Sequence, residues 1–225
     1  MKVKMRGEEK IIVNDEHELA RLLQLHSYER LIWKSGVNLI AGVDEAGRGP
    51  LAGPLVAAAV VINKELIIPG LNDSKLVAPA LRPRLVQEIK RQVAAWSVGI
   101  VPAGMIERYN IHQATFHAMK LALSRLPVAP GHVLIDGWAL PDLEIPQTPL
   151  IKGDARSAAI AAASLLAKTV RDEIMTYYSR IYSKYGFEKN KGYATPAHLA
   201  ALRKYGPCFL HRRTFRGVKE NNDEN

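Results

Sequence analysis

Asp44 and Glu45 stand side by side at the end of an apolar run, Leu39-Ile40-Ala41-Gly42-Val43, and Gly47-Arg48-Gly49-Pro50 follows almost at once. Neighbouring strand residues point to opposite faces of a sheet, so the two carboxylates cannot both be surface charges of one face. One is directed toward buried ground, which a carboxylate tolerates only beside a cation or hydrogen-bond donors. The glycines let the backbone approach a ligand where a side chain would obstruct it. This pattern suits a site for metal ions and phosphate.

Two more carboxylates stand where strands should end. Asp136 follows Val133-Leu134-Ile135 and precedes Gly137, and Asp154 follows Lys152-Gly153 ahead of an Ala-rich helical stretch. Taken singly, Asp136 reads as a turn residue and Asp154 as a helix cap that favours the positive dipole end. Brought together, four carboxylates repel one another unless cations sit among them. An all-oxygen ligand set suits Mg²⁺ or Mn²⁺ over zinc. Two such ions roughly 3.5–4 Å apart can activate a water and stabilise the leaving oxygen in phosphodiester cleavage. Asp172 lies 18 residues after Asp154, about 27 Å further along a helix axis, so it falls outside the site and reads as a surface or structural pair with Arg171. Other phosphate and acyl-transfer motifs fail: no Gly-Lys-Ser/Thr follows Gly47, a dinucleotide fingerprint lacks its third glycine, and no Gly-x-Ser-x-Gly is present.

The elements that must position these acids follow from the apolar spacing. Helices are expected over 16–35, 82–95, 103–126, 155–185 and 196–205, and strands over 39–45, 55–62, 96–101 and 132–135. The proline-bearing stretch 138–149 is read as non-helical, and residues 1–15 as a mobile or edge segment. Strands first, then strands alternating with long helices, indicate an α/β layered domain: a mixed sheet flanked by helices. The expected division is an N-terminal extension with its helix (1–36), a catalytic core (37–178) and a basic helical C-terminal region packed on that core (179–225).

Charge is concentrated in that last region. Of the net +9, ten Lys or Arg against one acid fall between Arg180 and Lys219, interleaved with seven Tyr or Phe, so the rest of the chain is neutral. Cations among aromatics can grip a phosphate backbone and stack on sugars or bases; the alternative is a solubilising face over core aromatics. Cys208 is the single cysteine, which excludes an internal disulfide and fits a reducing cytoplasm. The run 51–62, interrupted by Gly53 and Pro54, is too short to cross a bilayer. No apolar stretch follows the basic amino-terminal residues, so neither a secretory signal nor a membrane location is expected.

The chain resembles the ribonuclease HII family, of the ribonuclease H-like nuclease group. The resemblance is carried by Gly-Val-Asp-Glu-Ala-Gly-Arg-Gly-Pro-Leu-Ala-Gly-Pro (42–54), Leu-Asn-Asp-Ser-Lys (71–75), Ile-Asp-Gly (135–137), Lys-Gly-Asp (152–154), Lys-Gly-Tyr-Ala-Thr-Pro-x-His (191–198) and His-Arg-Arg-Thr-Phe (211–215). It implies a ribonuclease H-like fold and an endonuclease that cuts the RNA strand of RNA–DNA hybrids, and 5′ of single ribonucleotides embedded in duplex DNA. The products would carry 3′-hydroxyl and 5′-phosphate ends.

Carried over by position, the resemblance makes Asp44, Glu45, Asp136 and Asp154 the catalytic, metal-holding acids, with two divalent ions expected. It makes Gly47, Arg48 and Gly49 the backbone reader of the ribose 2′-hydroxyl, the group that separates RNA from DNA. Tyr193 becomes the junction residue stacking on the next deoxynucleotide's sugar. Asn72, Ser74 and Lys75 resemble a strand-contacting loop, with Lys152 near the scissile phosphate and His198 and His211 structural. Leu76 replaces a second lysine frequent in the family, and Met105-Ile106-Glu107 stands where Glu-Ile-Asp is common. The expected partner is nucleic acid, an RNA–DNA hybrid or a DNA duplex containing ribonucleotides, bound by a monomer. The rival expectations are a nuclease or strand-transfer enzyme of the same fold class without a 2′-hydroxyl reader, and a non-catalytic nucleic-acid binder.

Overall fold

The computed structural model describes residues 16–219; the segment 1–15, read above as mobile or edge, lies outside them. Five strands form one mixed sheet in the order β3-β2-β1-β4-β5. β1 (Ile40–Ala46) pairs antiparallel with β2 (Leu55–Ile62), which pairs antiparallel with β3 (Ala95–Val101). On the other side β1 pairs parallel with β4 (His132–Asp136), and β4 parallel with β5 (Gln147–Leu150). The central strands are buried on both faces, which explains their continuous apolar runs.

Strand alternation supplies two cores. Ile40, Val56, Ala58, Val60, Ile62 and Leu134 meet one set of helices: α1 (Glu16–Leu25), α3 (Arg82–Gln92) and the Ala-rich α5 (Ala158–Ile181). Ala41, Val43, Leu55, Ala57, Ala59, Val61, Val133 and Ile135 meet α4 (Ala103–Ser124) on the opposite face. At Gly42 a Cβ would collide with the Ala159 backbone, and at Gly99 with the Ala118 carbonyl. A missing side chain thus lets α5 and α4 each lie directly on the sheet.

The helix expected over 16–35 divides at His26. That ring is buried, contacts the Leu22 carbonyl at 2.7 Å through Nδ1 and accepts the Leu66 N–H at 2.8 Å on Nε2. A second helix, α2 (Ser27–Lys34), follows, and its buried Glu29 accepts from Ser157 Oγ (2.6 Å) and Ala159 N (3.0 Å), tying the N-terminal helices to the start of α5. α4 is interrupted at Asn110 (φ 66°), whose side chain accepts the His112 and Gln113 N–H groups and starts the helix again. β5 was not expected: Pro149 lies on a sheet edge, where a strand can lack one ladder donor. α5 starts three residues later than expected, because Gly153–Ala155 form a 3-10 turn and Ser157 caps the helix by accepting from Ile160 N.

A third cluster joins the carboxy-terminal segment to the rest. Tyr185, Phe187, Leu202, Leu210 and Val218 pack with Leu51, Ala52 and Met175. It includes the short α6 (Phe187–Asn190) and α7 (Pro196–Tyr205), the latter capped by Thr195.

Candidate active site

Asp44 and Glu45 lie near the end of β1, and their cross-strand partners are the small residues Ala58 and Ala57. Asp44 falls on the α5 face and is 4% exposed. Its Oδ1 accepts the Glu45 N–H at 2.6 Å, and the Ser164 hydroxyl of α5 also bonds to it. Asp136, at the end of the neighbouring parallel strand, accepts the Gly153 N–H at 2.6 Å. That bond fixes the 3-10 turn carrying the buried Asp154. Three separate stretches of chain thus deliver four acids to one end of the sheet.

Their electrostatics are those of one cluster. Burial, then the charges of Glu45 and Asp136, push the Asp44 carboxyl well above the usual range. Glu45 is raised to about 7, chiefly by burial, with Asp136 adding and Arg48 opposing. Asp154 is raised by burial and by the charges of Asp73 and Asp136. Among the described residues no three acids stand close enough together to hold a metal ion as they are. A protein cation partly offsets their charge. Lys75 Nζ lies 3.6 Å from Asp154 and 3.9 Å from Asp73. Although burial opposes its charge, Asp73, Asp154, Asp44 and Asp136 together hold Lys75 above its ordinary pKa. Arg48 Nη1 stands 3.8 Å from Glu45 Oε1.

Asp73 was not among the expected acids. It lies in a loop instead of at a strand end, and its only mark in the sequence was its place in the Leu-Asn-Asp-Ser-Lys string. Ser74 is turned inward, not outward as an open strand contact would be: it is 5% exposed and its Oγ lies 3.0 Å from Ser164 Oγ, to which it can donate while Ser164 donates to Asp44. Asn72 is half-buried and Lys152 exposed, the latter with a left-handed backbone (φ 56°).

The glycine loop is held by two fully buried arginines. Arg171 donates to Pro54 O, Lys191 O and Ala52 O, each at 3.0 Å. Arg212 donates to Gly47 O (2.6 Å), Arg48 O (2.9 Å) and Gly53 O (2.9 and 3.1 Å). Burial and the neighbouring Arg171 charge bring Arg212 down to about 9. In a trans peptide C=O and N–H point opposite ways. With the Gly47 and Arg48 carbonyls turned to Arg212, the N–H groups of Arg48 and Gly49 are aimed away from it, and Gly49 is exposed. Gly47 (φ 103°) cannot carry a side chain, since a Cβ would strike the Arg171 guanidinium.

This corrects two expectations. Arg171 is not paired with Asp172, which instead binds Lys168 (2.6 Å) and Arg82 (3.4 Å). Arg212, counted above among cations available to a polyanion, has its donors turned inward. A charge pattern does not distinguish a guanidinium facing solvent from one facing carbonyls.

Tyr193 stands beside the loop, 43% exposed, with Gly49 near its ring and Lys168 Nζ and Arg171 Cζ at 5.8 and 5.9 Å from its centroid. Two buried histidines support its backbone. Cys208 N donates to His211 Nδ1 (2.9 Å), the two Nε2 atoms are 3.0 Å apart, and His198 Nδ1 contacts Tyr193 O at 2.8 Å. Only one pair of tautomers completes the chain: His211 protonated on Nε2, His198 on Nδ1, both neutral. Burial lowers both pKa values, that of His211 to about 4.

A family model described as Ribonuclease HII matches residues 41–218. A curated ribonuclease HII from Moorella thermoacetica is 54% identical over 199 residues, covering 88% of this chain and 97% of that protein. One from Geobacillus thermodenitrificans is 50% identical over 197 residues, covering 88% and 76%. The crystal structure of ribonuclease H2 from Pyrococcus horikoshii OT3 superimposes with a TM-score of 0.72 at 26% identity, covering 83% of this chain and 98% of that one. Bst-RNase HIII in complex with Mn²⁺ shares the fold, with a TM-score of 0.65 at 20% identity over 97% and 76%.

Proposed function

The chain belongs to the ribonuclease HII family, hydrolases of the ribonuclease H type, and from that premise we propose that it cuts the RNA strand of RNA–DNA hybrids and 5′ of single ribonucleotides embedded in duplex DNA. One observation carries this reading: four acids from three stretches of chain gather beside a glycine loop whose carbonyls are tied back by Arg212. Asp44, Glu45, Asp136 and Asp154 would hold two divalent ions, and their all-oxygen donor set fits Mg²⁺ or Mn²⁺. Such ions, when bound, supply an activated water and charge neutralisation at the leaving oxygen.

The chain's own groups do the rest. Ser164 and the Glu45 N–H keep Asp44 oriented, and the Gly153 N–H fixes Asp136. Lys75, the most exposed charge beside the acids, is positioned to leave Asp73 and Asp154 for a substrate phosphate once cations neutralise them. Lys152 and Asn72 would contact the backbone of the cut strand, and Ser74 would support Ser164 from behind. The outward N–H groups of Arg48 and Gly49 would bind the 2′-hydroxyl, and Tyr193 would pack on the sugar of the following deoxynucleotide. The working unit in this reading is a monomer, since the four acids, the glycine loop and Tyr193 already meet within one chain. A lone cysteine, Cys208, together with bacterial relatives supports a cytoplasmic location.

The test is a duplex bearing one ribonucleotide, incubated with and without Mg²⁺ or Mn²⁺. The expected result is metal-dependent cleavage on the 5′ side, leaving 3′-hydroxyl and 5′-phosphate ends, with an all-DNA duplex intact. Cutting of the all-DNA duplex would favour a nuclease without a 2′-hydroxyl reader, and salt-sensitive binding without cleavage a non-catalytic binder.

A further inference from the structure

Two exposed aromatic rings bracket the glycine loop, and only one has been given a role. Tyr193 lies next to Gly49. Trp138 follows Asp136 by two residues, is 56% exposed and packs against α4, on the sheet face opposite α5, beside which Tyr193 lies. The ring is held on two sides. The Arg48 guanidinium carbon lies 5.2 Å from its centroid, and His112 meets it edge-on at 5.4 Å and 79°. His112 is itself set against Phe116 at 4.4 Å, in the first turn after Asn110 restarts α4. The interruption of α4 therefore places an aromatic column beneath Trp138 without burying it. Arg48 links the ring to the acids, since its guanidinium also stands 3.8 Å from Glu45.

We propose that Trp138 is a substrate-contacting residue: its indole packs against a nucleotide sugar on the side of the glycine loop opposite Tyr193, and keeps Arg48 at the loop when cations take up Glu45. An exposed, pre-ordered indole gives contact area at little conformational cost. Such platforms are sequence-tolerant, because every nucleotide presents an apolar sugar edge or base face. The inference rests on the nucleic-acid reading of this site and extends it to a second aromatic contact.

The test uses Trp138 as its own reporter. The chain has two other tryptophans, Trp33 and Trp96; replacing both by Phe leaves one emitter, with circular dichroism and thermal melting checking that the fold is kept. In that background, with Asp44→Asn blocking turnover, a labelled RNA–DNA hybrid is titrated and followed by both anisotropy and tryptophan emission. The expected result is binding by anisotropy together with quenching and a blue shift of Trp138. In the otherwise native enzyme, Trp138→Ala should raise KM for the hybrid roughly fivefold or more, the scale of one lost aromatic contact. Its kcat should stay within about twofold, its melting temperature should hold, and Trp138→Phe should restore most of the affinity. Binding by anisotropy with unchanged emission, or native KM in Trp138→Ala, would overturn the inference and leave the nuclease reading intact. Absence of binding by anisotropy in the native chain would instead remove the nuclease reading itself.

Discussion

Asp44 and Arg212 are both buried charges at the same end of the sheet, and the protein neutralises them in opposite ways. The guanidinium of Arg212 is matched by carbonyls of Gly47, Arg48 and Gly53, and Arg171 beside it by those of Ala52, Pro54 and Lys191. That region is complete as it stands. Asp44 has two donors but also faces Glu45 and Asp136, and its charge is opposed by both. Lys75 and Arg48 offset the acid cluster only in part. The acids are thus left unsatisfied beside a satisfied scaffold that keeps the loop in place.

The largest contrast should come from removing one charge from each region. Asp44→Asn should lower cleavage by about a thousandfold or more, since the metal and acid functions are lost together. The same change should raise the melting temperature of the metal-free protein, because a buried, repelled carboxylate becomes a neutral amide. A lower melting temperature would show that Asp44 is structurally satisfied. Arg212→Met should do the reverse, leaving several buried carbonyls without donors at roughly 3–5 kcal/mol. A drop in melting temperature on the order of 10 °C is expected. Native-like melting of this variant would remove Arg212 from the scaffold.

Proton linkage separates the regions next. Glu45 has a folded pKa of about 7 against an ordinary 4.5, so between these values the folded state holds a proton the unfolded chain has released. Its contribution to stability is present at low pH and is lost as pH rises through 7. His211 has the opposite sign: it stays neutral down to about 4 against an ordinary 6.5, so its contribution is lost as pH falls through that window. The two slopes oppose each other between about pH 4.5 and 6.5 in the native chain. Glu45→Gln removes the first, so metal-free melting should rise more steeply with pH in this variant than in the native protein. An unchanged or shallower slope would refute the raised pKa of Glu45.

The two regions were also unequally legible in the sequence. The acid pair, the strand-end position of Asp136 and the glycine loop could be read because each is local: an apolar run, a carboxylate, a glycine. The division of the first helix at His26 and the restart of α4 at Asn110 could not, because each depends on what one polar side chain bonds. β5 was hidden by Pro149, which a sheet edge tolerates. Arg171 and Arg212 look like any other cation in a basic segment, and their burial is decided by carbonyls more than a hundred residues away in the chain. Asp73 was obscured for a similar reason, since only the folded loop brings it to Asp154.

The smallest expected effect probes the seam between scaffold and site. His211→Asn keeps an oxygen to accept the Cys208 N–H but removes the Nε2–H that must be donated to His198. His198 then loses the partner that fixes its tautomer, and its grip on the Tyr193 carbonyl weakens. Stability should fall by only about 1 kcal/mol, one hydrogen bond's worth, while nitrogen chemical shifts report a mixture of His198 tautomers. In the proposed reading Tyr193 packs at the junction, so cleavage at a single ribonucleotide should drop about two- to fivefold, an amount equivalent to a fraction of that bond. Cleavage of a continuous hybrid should change less. Equal losses on both substrates, with His198 still in one tautomer, would mean that the histidine chain supports the fold and does not position Tyr193.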